Sequence, residues 1–326
     1  EPYDSRFVLI KPVMNHFYFH IYSSRKELLL REKDIERSIQ SELINAIRED
    51  RDNIQKYIQS VTLLDIIFAK CRLSRRFQCT RPQINEDGHI HISQLEYIPL
   101  KEICISKQRP YSSLTAEFDN RNIVITGSNM GGKTVLLKSV LFCQLLVQQG
   151  FFIPAGSVRT ILFDAINLVG NLNDENSRGL SSFGEEIMNL IDSHHTSRSL
   201  YIVDEFARTT NSIEAYALNS ALLQWFSECP HIYSFMSTHQ ENFPEFESVS
   251  NWSMKGLNYK KYKKYFHLDY DCDLEERIQL ITDYMDYGVE PEKTGEIRRD
   301  ALKIADILGL NSEILNYAEK YIKDQE

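Results

Sequence analysis

The clearest sign of a chemical function in the sequence is a run of eight residues: Gly127, Ser128, Asn129, Met130, Gly131, Gly132, Lys133 and Thr134. They have the spacing G-x-x-x-x-G-K-T of a phosphate-binding loop. Glycines let the backbone wrap closely around a polyphosphate, and the free N–H groups of a helix N-terminus point at it. Lys133 is placed to reach the β and γ phosphates of ATP, and Thr134 to offer its hydroxyl to Mg²⁺. We therefore predict an ATP and Mg²⁺ site here, with Lys133 taking part in catalysis.

Three further polar residues follow two apolar runs downstream. The run at 199–203 ends in Asp204 and Glu205, and the run at 232–236 leads to His239. We predict that Asp204 holds Mg²⁺, directly or through water, and that Glu205 accepts a proton from the attacking water or orients it. His239 is predicted to touch the γ-phosphate or the water. The plainer alternatives are two acidic residues that cap a strand and a histidine with a structural role.

Ser181 and Ser182 open a predicted helix after a polar loop at 171–179. Hydroxyls and free N–H groups at a helix N-terminus form an anion site, although a simple N-cap is an equally ordinary use of serine there. If two copies dimerise head to tail around nucleotide, this helix meets the γ-phosphate bound by the other subunit. We therefore include Ser181 and Ser182 among the predicted ATP-binding residues.

The apolar runs on both sides of the loop predict the elements that position it. Residues 123–125 are typical of a strand and residues 135–141 of a helix. Further along the chain, an apolar run at 161–169 and a helical pattern at 213–226 continue the alternation. Alternating strands and helices predict an α/β sheet whose ligand-binding groups lie at the carboxyl ends of its strands.

The amino-terminal part has a different pattern. From Ser24 to Cys71, apolar residues recur three, four or seven apart among many charges, which predicts a long helix or a helix pair. Ser24 and Glu27 have the spacing of a capping box at its start. Two earlier apolar runs, at 7–10 and 17–22, suit strands or the end of a truncated domain.

The carboxyl-terminal part is acidic and polar up to a predicted helix pair at about 300–324, broken near Gly309. These changes of pattern divide the chain into three predicted segments. They are the end of a helical core or lever region (1–80), an ATPase domain (81–290) and a C-terminal helix pair (291–326).

Composition narrows the class of protein. Of 326 residues, 42% are hydrophobic and 25% charged, which suits one large α/β domain with a smaller addition. No apolar run approaches the roughly 20 residues that cross a bilayer, so we expect no membrane partner. The formal charge of −9 argues against this chain being the main nucleic-acid-binding part of a protein, because affinity for nucleic acid depends on basic residues that neutralise phosphates.

The chain ends and cysteines suggest its context. Six cysteines without a C-x-x-C pair predict reduced thiols in the cytoplasm. The chain begins at Glu1 with neither an initiator Met nor a signal-peptide pattern, so we expect a piece of a longer protein.

Together these segments resemble the MutS family. Residues 126–134 are similar to its T-G-P-N-M-G-G-K-S/T loop, where the Asn-Met pair is more specific than the general motif. Residues 181–186 resemble its S-T-F-M-x-E segment, 204–212 its D-E-x-G-R-G-T-S-T stretch, 237–239 its A-T-H strand end, and 304–318 its C-terminal helices. With the end of the lever helices near residues 64–66 and 81–82, the resemblance covers roughly residues 24–324.

The resemblance implies an α/β, ABC-type ATPase head with a preceding helical lever and C-terminal helices that help dimerisation. It implies two composite ATP sites across a homodimer or heterodimer, with Ser181 or Ser182 contacting nucleotide in trans. Ser128 replaces the loop proline, and Ala207 and Thr209 replace both glycines after the Asp-Glu pair. A side chain at either glycine position adds strain if the backbone there has a positive φ.

Two functions are compatible with this resemblance. The first is an ATPase of DNA mismatch repair or related DNA processing, acting on mismatched or branched DNA through regions weak or absent in this sequence. The alternative is a MutS-like ATPase without a DNA role that remodels a protein client, as in a cobalamin-dependent lysine aminomutase reactivase. The net charge, the replaced glycines and the lack of a mismatch-reading segment favour the alternative, whereas the resemblance to the family as a whole favours the first function, which we take as our expectation.

Overall fold

The computed structural model describes residues 15–128, 130–170, 182–193, 197–240, 243–258, 274–292 and 300–323. The chain divides into two compact units, residues 1–69 and 70–326. The predicted run at 7–10 and residues Asn129 and Ser181 lie outside the described ranges. None of the helices within those ranges is both long and apolar enough to span a membrane.

The first unit is helical. Helix α1 is His16–Glu49, and α2, Arg51–Arg76, ends inside the second unit. Of the two alternatives for residues 17–22, the strand is therefore wrong: these residues belong to α1, whose apolar and charged pattern continues without a Gly or Pro to break it. The capping box at Ser24 is wrong for the same reason, because the N-cap is Asn15, whose side chain accepts a hydrogen bond from the Tyr18 N–H. No residue of α1 or α2 is buried.

The second unit contains two sheets and the remaining described helices. Its strands are β1 (Gln83–Ile84), β2 (Ile90–Leu95), β3 (Leu114–Phe118), β4 (Asn122–Thr126), β5 (Ser157–Thr160), β6 (Ala165–Gly170), β7 (Ser199–Asp204), β8 (Ile232–Ser237), β9 (Val249–Leu257) and β10 (Met285–Pro291). Its helices are α3 (Ile98–Ser106), α4 (Lys133–Gln148), α5 (Ser182–Ile191), α6 (Ser212–Glu228), α7 (Leu274–Tyr284), α8 (Asp300–Ile307) and α9 (Ser312–Lys323).

The larger sheet has the strand order β10-β9-β4-β8-β7-β6 and carries the candidate site. Its five strands from β9 to β6 are mutually parallel, and β10 pairs antiparallel with β9. Every residue of β4, β7 and β8 is buried, as expected where helices cover both faces of a parallel sheet. The carboxyl ends of these three strands therefore lie side by side at one edge, and this edge supplies the site residues.

The smaller sheet has the order β1-β5-β2-β3. Its inward residues join the larger sheet and α4 in one apolar cluster, in which the Phe118 ring packs edge-on against Phe235 and Trp252. A second cluster packs α5 and α6 on the opposite face, around Tyr201 and Phe226. The central strands are thus held from both sides, which fixes the position of the loops that leave them.

The C-terminal part adds structure that the sequence did not predict. Strand β9 lies between β4 and β10, so the acidic stretch before the final helices completes the site-bearing sheet. The predicted helix pair is present as α8 and α9. The buried Asp300 at the start of α8 accepts a hydrogen bond from the Leu257 N–H at 3.1 Å, so this helix is tied to the end of β9.

Candidate functional site

The glycine loop joins β4 to α4 and has the backbone that its sequence predicts. Gly127 and Gly132 have φ values of 134° and 94°, a region that residues with a side chain rarely adopt. A Cβ atom on Gly132 would lie 3.2 Å from Cδ1 of Tyr287, and one on Gly127 would lie 3.0 Å from Cβ of Met254. Residues of β9 and β10 thus lie close to the loop, and a side chain at either glycine would be strained and would require these neighbours to shift.

Lys133 is the first residue of α4 and is buried, with 3% of its surface exposed. Its Nζ donates hydrogen bonds to the carbonyl oxygens of Gly127 at 2.8 Å and Ser128 at 3.3 Å. The same atom lies 3.8 Å from Oε1 of Glu205. Burial lowers the pKa of Lys133, against the opposing effect of the carboxylates of Glu205 and Asp204. The ammonium group therefore sits inside the curve of the loop, close to both acidic residues.

Asp204 ends β7 and is 2% exposed. Its Oδ2 accepts a hydrogen bond from the Thr134 hydroxyl at 3.0 Å, and its Oδ1 accepts one from the Ser237 hydroxyl at 2.5 Å. Asp204 and Ser237 face each other in the parallel register of β7 and β8. The structure thus brings together Thr134 and Asp204, which lie 70 positions apart in the chain.

Glu205 lies beyond the strand end, and both of its carboxylate oxygens have partners. Oε1 is 2.7 Å from Nε2 of His239, and Oε2 accepts a hydrogen bond from Nη1 of Arg208 at 2.9 Å. Burial alone would raise the pKa of Glu205, but the Arg208 hydrogen bond and the charges of His239 and Lys133 outweigh it and hold the pKa below its usual value. This side chain is therefore an ionised carboxylate at neutral pH.

The turn after Glu205 has an unusual backbone. Glu205 and Ala207 have φ values of 52° and 60°, in the left-handed region, which costs a residue with a side chain roughly 1–2 kcal/mol. The expected strain is thus present at Ala207, while Thr209 has no positive φ. The Ala207 N–H donates a hydrogen bond to Oε2 of the buried Glu186 on α5 at 2.8 Å. Burial raises the pKa of Glu186, against the effects of this N–H and of the Arg208 charge.

Ser182 is the first residue of α5 and is exposed. Its hydroxyl lies 3.3 Å from the Thr209 hydroxyl, on the same turn, rather than at the glycine loop of its own chain. Helix α5 ends at Ile191. Within one chain, this serine thus contacts the turn that follows Glu205.

Sequence reasoning missed three residues that complete this arrangement: Arg208, Ser237 and Glu186. All three lie inside the segments that carry the family resemblance. A hydroxyl residue at a strand end opposite Asp204, and an arginine three positions after Glu205, are signals that could have indicated two of them. The bond from Glu186 to a backbone N–H had no such signal, because it depends on the path of the turn.

The fold is thus a mixed α/β domain whose parallel strands end in a cluster of polar residues around a glycine loop. Residues 123–324 match the family model described as MutS domain V, and the chain belongs to this family.

Curated relatives agree with this assignment. The chain is 28% identical to the DNA mismatch repair protein MutS of Listeria monocytogenes serotype 4b over 66% of this chain and 25% of that protein. It is 25% identical to the DNA mismatch repair protein MutS of Pelotomaculum thermopropionicum over 92% of this chain and 34% of that protein. It is 32% identical to the endonuclease MutS2 of Geobacillus thermodenitrificans over 61% of this chain and 25% of that protein. The chain therefore spans about a quarter to a third of the length of these relatives.

Proposed function

We propose that this chain is the ATPase part of a MutS-family protein, which binds ATP with Mg²⁺ and hydrolyses it at sites shared between two ATPase heads. The observation that carries the proposal is the meeting of five polar side chains at the ends of neighbouring strands. They are Lys133, Thr134, Asp204, Glu205 and His239, joined by contacts of 2.7 to 3.8 Å. Residues from three separate stretches of sequence thus meet around a glycine loop in two contact groups, Thr134 with Asp204, and Lys133 with Glu205 and His239.

The residues present fit a magnesium ion. The Thr134 hydroxyl and the Asp204 carboxylate are hard oxygen donors within 3.0–3.3 Å of each other, and Mg²⁺ prefers such ligands. Within the described ranges, no group of three or more His, Cys, Asp or Glu residues could hold a metal ion. Two protein ligands suffice here, because Mg²⁺ at a phosphate-binding loop takes its other ligands from phosphates and water. When bound, the ion neutralises charge on the β and γ phosphates.

Three side chains of this chain have separate roles in binding the phosphates and in hydrolysis. Lys133 places a positive charge where the β and γ phosphates enter the loop, and the glycine backbone surrounds them. Glu205 is ionised, so it orients a water molecule towards the γ-phosphate and accepts its proton. A carboxylate has about four acceptor positions, so Glu205 can keep its contacts with His239 and Arg208 while it holds water. His239 fixes the carboxylate and faces the same phosphate.

The biological setting that we propose is DNA mismatch repair or related DNA processing, which the names of the relatives suggest, and its place is the cytoplasm. One observation favours the alternative of a protein-remodelling ATPase, such as a lysine aminomutase reactivase subunit. The formal charge of this chain is −9, whereas affinity for DNA depends largely on basic residues that neutralise phosphates. The two settings require different partners for the same ATPase cycle.

The first test is ATP binding and steady-state turnover by the wild-type protein and the Lys133→Ala variant. We expect Lys133→Ala to lose most of its ATP affinity in a titration, because the substitution removes the cation that faces the phosphates. Lys107→Ala, an exposed lysine after α3, serves as the matched control and should bind normally. Normal binding by Lys133→Ala would contradict the assignment of the phosphate site.

The same assay distinguishes the two settings. Turnover of the full-length protein is measured alone and with homoduplex, mismatched and branched DNA, at two salt concentrations. A change of rate with one of these DNAs, with binding that weakens steeply as salt increases, supports DNA processing. Turnover that is indifferent to every DNA contradicts it and supports the protein-remodelling alternative.

A further inference from the structure

Helix α5 contacts the turn after Glu205 at two points. Near its start, the Ser182 hydroxyl lies 3.3 Å from the Thr209 hydroxyl. One helical turn further on, Oε2 of Glu186 accepts a hydrogen bond from the Ala207 N–H at 2.8 Å. Residues four apart lie on the same face of a helix, so both contacts come from one side of α5. The helix and the turn are therefore joined at residues 207 and 209.

The contact at Glu186 is the stronger of the two. Glu186 is 8% exposed, whereas Ser182 is exposed, so water competes little for the Glu186 carboxylate. A hydrogen bond from a backbone N–H to a carboxylate is also stronger than one between two neutral hydroxyls. The N–H in question belongs to Ala207, which has the left-handed backbone conformation. Glu186 thus compensates for a conformation that the alanine side chain disfavours.

This conformation determines where Glu205 and Arg208 point. Glu205 and Ala207 both have a positive φ, and the turn between them brings the Arg208 guanidinium back onto the Glu205 carboxylate at 2.9 Å. The Phe206 carbonyl in the same turn accepts a hydrogen bond from the side-chain amide of the buried Asn219 at 3.1 Å. The turn is therefore held from α5 through Glu186 and from α6 through Asn219.

We infer that Glu186 is a positioning residue for ATP hydrolysis, which fixes the Glu205 carboxylate through the Ala207 N–H and links its position to helix α5. This inference rests on the proposed function, because it concerns the same ATPase site. It adds a mechanical connection within one chain. A displacement of α5, the helix that carries Ser182, moves the turn through the hydrogen bond between Glu186 and the Ala207 N–H. The turn then moves Arg208, whose hydrogen bond holds the Glu205 carboxylate.

The inference predicts a loss of rate without a loss of nucleotide affinity. In Glu186→Ala, the Ala207 N–H loses its acceptor and the turn relaxes, so we expect kcat to fall roughly 10–100-fold, as for the loss of a group that orients a reacting one. KM and the dissociation constant for ATP should stay within about twofold, because Lys133 and the glycine loop are untouched. Glu186→Gln should restore most of the rate, because its side-chain oxygen can accept the same hydrogen bond.

A control and a double variant separate positioning from general stability. Glu185→Ala removes the neighbouring glutamate of α5, whose Oε1 has no hydrogen-bond partner within the described residues, and should leave kcat unchanged. In the Glu205→Gln background, Glu186→Ala should reduce turnover no further, because it acts through Glu205. Thermal unfolding of every variant confirms that the compared proteins are folded.

The outcomes also separate this inference from the proposed function. The inference is overturned, and the proposed function stands, if the wild-type protein hydrolyses ATP, Glu205→Gln is slow and Glu186→Ala has a normal rate. Additive losses in the double variant also overturn the inference, because they would show that Glu186 acts elsewhere. Absence of ATP turnover by the wild-type protein, or an unaffected Glu205→Gln variant, would instead contradict the ATPase assignment itself.

Discussion

At the scale of single residues, the site is organised around carboxylates whose oxygens already have partners. Asp204 accepts hydrogen bonds from the Thr134 and Ser237 hydroxyls, and Glu205 contacts His239 and Arg208. Such bonds hold each carboxylate in one orientation before any ligand arrives. Preorganised groups of this kind lose little free energy to rearrangement during a reaction.

Replacement of Glu205 by Gln tests its role directly. The substitution keeps the shape of the side chain but removes its negative charge and its ability to accept a proton. We expect ATP binding to persist while hydrolysis slows by about 10²–10⁴-fold, the usual contribution of a general base. Binding is measured by titration and hydrolysis by single-turnover phosphate release.

A matched control for this variant is Glu117→Gln, an exposed glutamate on β3 outside the site. It should hydrolyse ATP at the wild-type rate. Unchanged turnover in Glu205→Gln would mean that another group positions the water, and the assignment of Glu205 would fail.

At the scale of elements, the close pairing of β6 and β7 leaves no room for a side chain at the position that pairs with Asp204. Gly170 at the end of β6 pairs with Asp204 and has a φ of 92°. A Cβ atom built there would lie 2.1 Å from the backbone oxygen of Asp204, which no real contact permits. The backbone that carries Asp204 must therefore move if this glycine is replaced.

We predict that Gly170→Ala lowers the free energy of unfolding by about 3–4 kcal/mol, the sum of overpacking and left-handed strain. Gly150→Ala is a suitable comparison, because Gly150 also has a positive φ but its nearest neighbour, Nζ of Lys70, is 3.5 Å away. It should lose only about 1–2 kcal/mol. Denaturant unfolding of both variants measures the difference, and equal losses would show that the strand pairing relaxes freely.

Elements with a strong local signal were predicted from the sequence. The loop, the runs that end in Asp204 and Ser237, and the final helix pair each combine apolar periodicity with a recognisable boundary. The start of α1 was missed because a helix interior can contain Ser24 and Glu27 at the spacing of a cap. Local patterns identify a cap only when the preceding residues are not helical themselves.

The elements that were missed depend on distant parts of the chain. In β9, Trp252, Met254 and Gly256 are buried at alternate positions, but polar neighbours lower the overall hydrophobicity of the segment. Its place beside β4 follows from pairing across about 130 residues, which no local pattern encodes. The bond from Glu186 to Ala207 likewise requires α5 and the turn to be placed in three dimensions.

At the scale of the whole molecule, the proposed site is complete only if two chains supply it. Within one chain, Ser182 lies against Thr209 rather than at the glycine loop. A site shared between subunits predicts that two inactive variants can complement each other. The Lys133→Ala chain keeps an intact α5, and a chain with both Ser181→Ala and Ser182→Ala keeps an intact loop.

Mixing these two variants in equal amounts should restore about a quarter of the wild-type ATP turnover. Half of the dimers are then mixed, and each has one intact site of two. A mixture of Lys133→Ala with Glu205→Gln is the control, because both substitutions affect the same half of each site and no intact site forms. A rate equal to the average of the separate variants would contradict a shared site.

The pairing of β4 also has a consequence for synthesis of the protein. Both neighbours of this central strand come later in the chain, so β4 leaves the ribosome as an unpaired strand. Its partners β8 and β9 follow about 110 and 130 residues later, a delay of roughly 6–25 seconds at ordinary translation rates. During this time an apolar strand exposes two free edges, which are prone to pair with other chains. The glycine loop follows β4 directly, but Asp204 on β7 and His239 after β8 are made later, so the complete group of site residues forms only after these strands have been synthesised.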